Sequence, residues 1–367
     1  MSKIKVCHIT SAHYYKDVRI FEKQCSSLAN AGFDVKLIVA KGESTTINGV
    51  EVIKVQSSEG NRFKRMWKTA KLVYLSAQEQ QAKLYHFHDP ELLRFALRLK
   101  KSGAKVIYDA HEDLPRQIMG KYWIPKPLRK IVSFLVEKFE NYIVSKLDGV
   151  VAATGFIKDR FLKVNPNCID VNNYPILSEE IAVESSQENS ICYAGGITDN
   201  RGIAGIVESL AFLPGVKLKL AGSYSPQNFR DELSALSSWN QVEELGFVSR
   251  YEVKKLMRQS IAGLVTLKPL PNYLDSLPIK MFEYMYERVP VIASDFPLWK
   301  TIVEEQGCGI CVDPNSPKEI ANGIQYLIDN PTVGQEMGKK GRALVLEKYN
   351  WKNEEVKLVD FYKTVLE

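Results

Sequence analysis

Short apolar runs alternate with helical patterns along the first half of this chain. Six runs have the β-branched, apolar character of buried parallel strands: Ile4–Ile9, Val35–Val39, Val50–Val55, Leu84–His88, Val106–Tyr108 and Gly149–Ala152. Between them, apolar residues recur every three or four positions and predict helices that include Val18–Ala31, Pro90–Lys101 and Leu128–Lys146. This alternation predicts a doubly wound α/β domain.

A second alternation of the same kind follows a polar stretch. Residues 178–190 lack apolar periodicity, and we interpret them as a linker. The strands predicted beyond it are Ile191–Ala194, Val216–Ala221, Val242–Leu245, Gly263–Leu267, Val289–Ala293 and Gly309–Val312. The sequence therefore predicts two α/β domains, residues 1–177 and 191–349, followed by a helical pattern within residues 350–367.

Length and composition indicate a globular protein. The 367 residues are too many for one ordinary core, and 45% of them are hydrophobic while 25% are charged. No apolar run approaches the roughly 18 residues of a membrane-spanning helix, and the N-terminus leads directly into a strand pattern, so we expect a cytoplasmic protein. Among six scattered cysteines, Cys308 and Cys311 have the spacing of half a metal site, but reduced, buried thiols are the expectation.

Two acidic residues, Asp275 and Glu283, flank the predicted start of a helix. Pro278 suits the first turn of that helix, and Ser276 suits its N-cap. Apolar neighbours surround Glu283, so its carboxylate needs a partner, which is either Lys280 on the same helix or a pair of ligand hydroxyl groups. The free N–H groups at the helix start suit a phosphate.

A glycine pair, Gly195 and Gly196, ends the first strand of the second predicted domain, and Arg201 follows it. Glycine lets backbone amides approach a phosphate closely, and arginine can bind a phosphate through two hydrogen bonds. A plain tight turn explains the glycine pair equally well.

The segment Asp275–Glu283, followed by Val289-Pro-Val-Ile-Ala-Ser-Asp295, resembles the paired-acid motif of the retaining nucleotide-sugar glycosyltransferases of family 4. Aspartate here replaces the more common first glutamate of that motif. The resemblance implies the GT-B fold, in which two doubly wound Rossmann-like domains face each other across a cleft and residues 350–367 complete the first domain. It also implies that Glu283 holds the ribose of a nucleoside diphosphate sugar and that Asp275 contacts the transferred sugar.

The same resemblance extends to the donor loops. It implies that Arg201 and Lys280 bind the donor diphosphate and that Arg201 stabilises the leaving group. UDP is the favoured nucleotide. The other donor-binding residues that it implies are Gly195, Gly196, Ser276, Leu277, Gly222, Phe247 and Val248.

Histidines and acids gather at three predicted strand ends of the first domain. One histidine there is ordinarily a capping or core residue, but three clusters on one sheet edge indicate a functional site. The residues alone leave a zinc or iron site open, and Asp89 could simply cap a helix. The resemblance implies that no metal or other cofactor is needed. It assigns His111 to the reaction centre, and to the acceptor site it assigns His13, Asp17, Arg19, His88 and Asp89.

The formal net charge of +6 is concentrated in the first half of the chain. The excess gathers in residues 62–68 and 121–130, where aromatic side chains interleave with cations. Solvated helix faces explain most such runs, and the functional alternative is contact with an anionic membrane. No nucleic-acid-binding motif accompanies the charge.

These features predict a retaining glycosyltransferase that moves a sugar to a hydroxyl group of an acceptor. The charge pattern and the resemblance favour a lipid-linked saccharide acceptor in surface-polysaccharide assembly, such as lipopolysaccharide or capsule, at the inner face of the membrane. One alternative is a GT-B sugar-nucleotide epimerase, which would accept no second substrate. The other is a non-catalytic nucleotide-sugar-binding protein, which would keep Glu283 and Arg201 but have no use for the histidines.

Overall fold

The structure, a computed structural model, describes residues 3–56, 62–121, 124–177 and 188–367, and within these ranges all side chains except those of 62–65. Most of the predicted linker at 178–190 lies outside the described residues, as do parts of the basic segments 62–68 and 121–130. Internal contacts divide the chain into two compact units. The first is Met1–Ile176 with Trp351–Glu367, and the second is Leu177–Asn350.

The first unit is an eight-stranded sheet with helices on both faces. Its strand order is β3-β4-β2-β1-β5-β6-β7-β8, and all neighbours are parallel except β3 and β4. The strands are β1 (Lys5–Tyr14), β2 (Asp34–Lys41), β3 (Thr45–Ile47), β4 (Val50–Lys54), β5 (Leu84–Phe87), β6 (Lys105–Ala110), β7 (Gly149–Ala152) and β8 (Cys168–Asp170). The α-helices are α1 (Ser26–Asn30), α2 (Arg62–Glu79), α3 (Leu93–Lys101), α4 (Leu114–Met119), α5 (Lys126–Val144) and α6 (Gly155–Leu162).

Two strands of this sheet, β3 and β8, were not predicted, because three residues are too few to show periodicity. A turn at Asn48 and Gly49 joins β3 to β4, and both residues have positive φ. Asn-Gly is the usual sequence of such a hairpin, so this signal was present and missed. The single helix predicted at Val18–Ala31 is a π-helix, Val18–Cys25, followed by α1. A 3₁₀-helix, Pro90–Leu92, precedes α3.

The second unit has a six-stranded, fully parallel sheet in the order β11-β10-β9-β12-β13-β14. Its strands are β9 (Ser190–Ala194), β10 (Lys217–Ala221), β11 (Val242–Gly246), β12 (Gly263–Val265), β13 (Val291–Ser294) and β14 (Gly309–Val312). Its α-helices are α7 (Ile203–Ser209), α8 (Phe229–Ser234), α9 (Arg250–Gln259), α10 (Ile279–Tyr286), α11 (Pro297–Trp299), α12 (Pro317–Asp329) and α13 (Pro331–Glu347). Short 3₁₀-helices lie at Asp199–Arg201, Leu210–Phe212 and Trp239–Gln241, and a π-helix at Lys300–Glu304. The predicted α/β class is confirmed.

The last helix, α14 (Trp351–Leu366), belongs to the first unit. Its apolar side packs into the core on one face of the first sheet through Leu358, Phe361 and Val365. The ring of Phe361 lies against Gly149, where a Cβ atom would be 2.5 Å from it. The opposite face of that sheet is covered by α2, α3 and part of α5.

In each sheet the strand order reverses beside one central strand, β1 in the first unit and β9 in the second. Open α/β sheets bind ligands at the carboxyl ends of the strands at such a switch point. His13 lies near the end of β1, and Gly195 follows β9. Separately, none of the helices in the described part of the chain is long and apolar enough to cross a membrane.

Candidate functional site

Three glycines follow or end adjacent strands of the second sheet and hold one another in place. The backbone N–H of Gly195 donates to the carbonyl of Ala221 at 2.9 Å, and that of Gly222 donates to Gly246 at 2.7 Å. Gly222 has φ +144°, and a Cβ atom there would lie 1.8 Å from the carbonyl oxygen of Gly195. Only glycine fits this position, so the loops keep a close-packed backbone at the carboxyl edge of the sheet.

Two basic side chains flank the Gly195–Gly196 loop. The Nζ atom of Lys280 lies 3.8 Å from the ring centroid of Tyr193, and a Cβ atom on Gly195 would be 2.6 Å from Nζ. A Cβ atom on Gly196 would be 3.8 Å from Nε of Arg201. Lys280 is buried, and its Nζ has no hydrogen-bond acceptor among the described residues. Burial, followed by the charge of Arg201, lowers the pKa of Lys280 well below its ordinary value. The loop can therefore hold an anionic group.

Glu283 pairs with a residue that the sequence analysis did not name. Its Oε1 accepts a hydrogen bond from Nη1 of Arg250 at 2.7 Å, and the two side chains are 21% and 63% exposed. Lys280, the local partner considered from the sequence, lies on the buried side of α10 and contacts the aromatic ring of Tyr193 instead. The carboxylate of Glu283 thus remains partly open to solvent.

The start of α10 differs from its prediction. Pro278 itself is the N-cap, and no side chain caps the helix. Ser276 was predicted to cap it, but its hydroxyl donates to the carbonyl of Tyr273 at 2.8 Å. The carbonyl of Ser276 accepts a hydrogen bond from the indole of Trp299 at 2.7 Å. Ser276 therefore secures the loop before α10 rather than the helix end.

The other donor residues from the sequence lie in loops of the second unit. Asp275, Leu277 and Val248 are partly buried, whereas the side chain of Phe247 is 92% exposed. An aromatic ring so exposed does not pack within the unit itself, so it is available to contact a ligand.

In the first unit, Asp109 is the centre of a buried hydrogen-bond network. Arg19 binds it with two hydrogen bonds, from Nε to Oδ2 at 3.1 Å and from Nη2 to Oδ1 at 2.7 Å. Gln24 donates to Oδ2 at 2.7 Å, and ring nitrogens of His88 and His111 each lie 3.2 Å from the same oxygen. Burial alone would raise the pKa of Asp109, but Arg19 and His111 outweigh it and hold the pKa well below its ordinary value. The carboxylate is ionised.

This ionised carboxylate determines which ring nitrogen carries the proton in each of three buried histidines. His88 faces Asp109 with Nδ1, so that nitrogen carries the proton and Nε2 is an acceptor. His8 then donates from Nδ1 to His88 at 2.8 Å, and the hydroxyl of Tyr362 donates to Nε2 of His8 at 3.0 Å. His86 donates from Nδ1 to the Tyr362 hydroxyl at 2.6 Å. Burial lowers the pKa of all three histidines, so the chain is neutral.

The partly exposed ring of His111 lies against the same carboxylate. Its Nε2 lies 3.2 Å from Oδ2 of Asp109 and forms a 3.2 Å hydrogen bond with Nδ1 of His88. Its other nitrogen, Nδ1, takes part in neither contact and can form a hydrogen bond with a ligand. The side chain is 19% exposed, and its ring centroid is 5.1 Å from that of His13.

His13 and Asp89 form a second pair at the same edge. Nδ1 of His13 lies 2.9 Å from Oδ1 of Asp89, whose other oxygen accepts from the hydroxyl of Thr10 at 2.7 Å and from the N–H of Ser11 at 2.6 Å. Burial would lower the pKa of His13, but the hydrogen bond and charge of Asp89 raise it above its ordinary value. The suggestion that Asp89 caps the following helix is wrong, because its side chain bonds to this loop instead.

All five histidines of the chain lie in this network, His13 through its ring contact with His111. Arg19 and His88, expected at the acceptor, are buried, and they contact Asp109 and, for His88, also His111. Asp17 accepts from the N–H groups of Arg19 and Ile20 and caps the π-helix. Sequence reasoning did not assign Asp109 a role, although its place two residues before His111 at a strand end was a signal.

Two groups of side chains in the described chain are close enough to hold a metal ion. They are His8, His86 and His88, and His88, Asp109 and His111. The second group shares its carboxylate with Arg19, whose two hydrogen bonds leave little room for a divalent cation. The first group has no carboxylate or thiolate, and two of its nitrogens already form a 2.8 Å hydrogen bond.

Family comparisons agree with this fold. Residues 19–172 match the model described as Glycosyltransferase Family 4, and residues 178–344 match that of Glycosyl transferases group 1. An uncharacterized glycosyltransferase of Methanocaldococcus jannaschii is 27% identical over 49% of this chain, a match that spans 46% of that relative. Alpha-galactosylglucosyldiacylglycerol synthase of Streptococcus pneumoniae is 23% identical over 73% of this chain and 74% of its own length. The structure of HepE from Anabaena, in complex with UDP and glucose, superposes with a TM-score of 0.75 at 13% identity, covering 98% of this chain and 100% of HepE.

The two matched ranges together cover most of the chain, and the solved structure shares its two-sheet architecture. The chain belongs with the GT-B glycosyltransferases similar to family 4.

Proposed function

We propose that this protein transfers a sugar, with retention of configuration, from a nucleoside diphosphate sugar to a hydroxyl group of a saccharide acceptor. The observation that carries the proposal is the pair of basic side chains at Gly195–Gly196, where the buried Nζ of Lys280 has no acceptor among the described residues. Breaking the anomeric bond places negative charge on the leaving diphosphate, and fixed cations and amides stabilise such charge strongly. UDP is the favoured nucleotide, since HepE, which shares the fold, was solved with UDP.

Glu283 and Asp275 complete the donor site in this proposal. Glu283 keeps a partly exposed carboxylate, and its partner Arg250 is held only at the surface, so two ribose hydroxyls can bind the same group. Asp275, in the turn before α10, contacts the transferred sugar. Arg201 and Lys280 supply positive charge that a metal ion would otherwise provide, and we expect activity to survive treatment with EDTA.

The acceptor side rests on His111 and His13. His111 orients the attacking hydroxyl through Nδ1, the ring nitrogen that contacts neither Asp109 nor His88, and the hydroxyl proton passes to the departing phosphate on the same face of the sugar. A lipid-linked acceptor is supported by the name of the pneumococcal relative, a diacylglycerol glycolipid synthase, and by the basic first half of the chain. Such an acceptor places the reaction at the inner face of an anionic membrane, as in surface-polysaccharide assembly.

The test is a thermal-shift panel with UDP, GDP and ADP and their sugars. A ligand at about 100 times its dissociation constant stabilises a folded protein by about 2.7 kcal/mol. We expect a shift selective for one base that Glu283→Ala abolishes. Glu336→Ala is the matched control, because Glu336 is also an ion-paired surface glutamate of the second unit. A folded protein that responds to no nucleotide would refute the donor site.

A further inference from the structure

Helix α5 of the first unit presents large apolar side chains to solvent. Ile143 and Val144, near its end, join the core, and Glu140 is buried against Arg160 and Tyr108. On the outer side, six side chains are between 47% and 59% exposed: Leu128, Ile131, Phe134, Leu135, Phe139 and Tyr142. We call these six side chains the outer face of α5. Soluble monomers rarely expose a contiguous apolar patch of this kind unless it binds something.

The exposed residues form one continuous stripe. Residues 128, 131, 135, 139 and 142 are separated by three or four positions, so they lie on the same side of the helix, and Phe134 extends that side. The inward-facing residues follow the same period on the opposite side. The helix therefore has two apolar sides. One packs against the protein core, and the other is exposed to solvent.

Cations border the outer face. Lys126, Lys130, Lys138 and Lys146 are all exposed. The ammonium of Lys138 lies 5.4 Å from the ring of Phe134, and that of Lys146 lies 3.7 Å from the ring of Tyr142. Of the two glutamates on α5, Glu140 is buried and Glu137 half-buried. A second copy of the same face would oppose these lysines with like charge, whereas anionic lipid headgroups complement them.

We propose that the outer face of α5 docks on an anionic membrane. The helix lies parallel to the bilayer surface, with its aromatic rings at headgroup depth and the lysine side chains extended to lipid phosphates. This assigns the contact to residues 128–142, which overlap the basic segment 121–130 only at 128–130 and extend along α5 beyond it. It rests on the proposed function only in that a lipid-linked acceptor gives the contact its purpose.

The experiment is flotation of the full chain with phosphatidylcholine vesicles, with and without phosphatidylglycerol. Three double variants are compared with the wild type. Leu135→Ser/Phe139→Ser removes apolar area, and Lys130→Gln/Lys138→Gln removes charge. The control is Phe212→Ser/Tyr326→Ser, which removes two aromatic side chains of similar exposure from the second unit.

We expect the wild type and the control to float only with the anionic vesicles. The partition coefficient of each α5 variant for these vesicles should be lower by at least about tenfold. Added salt should reduce wild-type binding. Absence of wild-type binding, equal binding by the α5 variants, or a dimer in light scattering that Leu135→Ser/Phe139→Ser dissolves would each overturn the proposal. Nucleotide thermal shifts on the same proteins separate the two hypotheses, because vesicle binding without any nucleotide response refutes the donor site and leaves the docking face standing.

Discussion

At a pH above the lowered pKa of Lys280, replacing Lys280 with methionine should abolish a proton uptake that accompanies nucleotide binding. In the free protein, burial and then the charge of Arg201 hold the pKa of Lys280 well below its ordinary value. A diphosphate bound at Gly195 would sit beside this amine, since even a Cβ atom on Gly195 would be 2.6 Å from Nζ. The added negative charge favours the ammonium form, so the amine takes up a proton when the nucleotide binds.

The size of the effect follows from that proximity. Opposite unit charges about 4 Å apart attract by about 4 kcal/mol at an effective dielectric constant of about 20. That energy corresponds to a rise of about three units in the pKa of the amine on binding. Between the pKa of the free protein and that of the complex, affinity should fall by up to about tenfold per unit of rising pH, because the protonated amine that the ligand needs becomes scarcer.

Isothermal titration of UDP into the protein, in two buffers of different ionisation enthalpy, measures the uptake directly. The wild type should show a buffer-dependent enthalpy equivalent to up to one proton per ligand, and Lys280→Met should show only the contribution of the nucleotide. Lys268→Met is the matched control, since Lys268 is an ion-paired lysine nearer the surface of the same unit. If UDP binds the wild type with the same enthalpy in both buffers, the reasoning about Lys280 is wrong.

Four further predictions concern the two sheet edges. Asp109→Asn should lower the free energy of unfolding in urea by about 3–5 kcal/mol, because it leaves Arg19 buried without its charge partner. The control Asp360→Asn, at the surface, should lower it by less than about 1 kcal/mol, and equal effects of the two variants would contradict the network. Gly222→Ala should unfold at a much lower temperature than Gly155→Ala, whose new methyl group meets open space. Equal melting temperatures would show that the Gly195 loop can move to accommodate a methyl group. Nitrogen NMR of ¹⁵N-histidine protein should place the proton on Nδ1 in His8, His86 and His88, and protons on Nε2 of these three rings would reverse the direction of the hydrogen-bond chain. Because the pKa of His13 is raised, its pairing with Asp89 should stabilise fully below the ordinary histidine pKa of about 6.5 and be lost as pH rises through the raised value, which urea unfolding of wild type and His13→Gln at several pH values would reveal.

The strands and their class followed from the sequence because parallel strands are buried on both faces and leave nearly continuous apolar runs. The run at Gly149–Ala152 coincides with β7, and that at Gly309–Val312 with β14. The three-residue strands β3 and β8 left no such run. The change from π-helix to α-helix at Ser26 likewise left no signal, since segments of 8 and 5 residues are too short to show their different periods.

The chemistry of the site could be predicted only in part from the sequence. Gly195, Arg201 and Lys280 could be grouped from one sequence because each lies at a strand or helix end. The pairing of Glu283 with Arg250 joins residues 33 positions apart on different helices, and no local pattern encodes it. Tyr362 joins the histidine chain from 276 positions beyond His86, so it could be found only in three dimensions.

The position of α14 has a consequence for how the chain is made. Its residues Leu358, Phe361 and Val365 cover one face of a sheet whose strands all lie before residue 171. Every strand of both units precedes this helix in the chain, so the first sheet is synthesised long before the helix that shields its apolar surface. The unit begun first is therefore completed after the second, and a chain truncated within α14 would keep all residues of the second unit but expose the apolar face of the first, which favours aggregation.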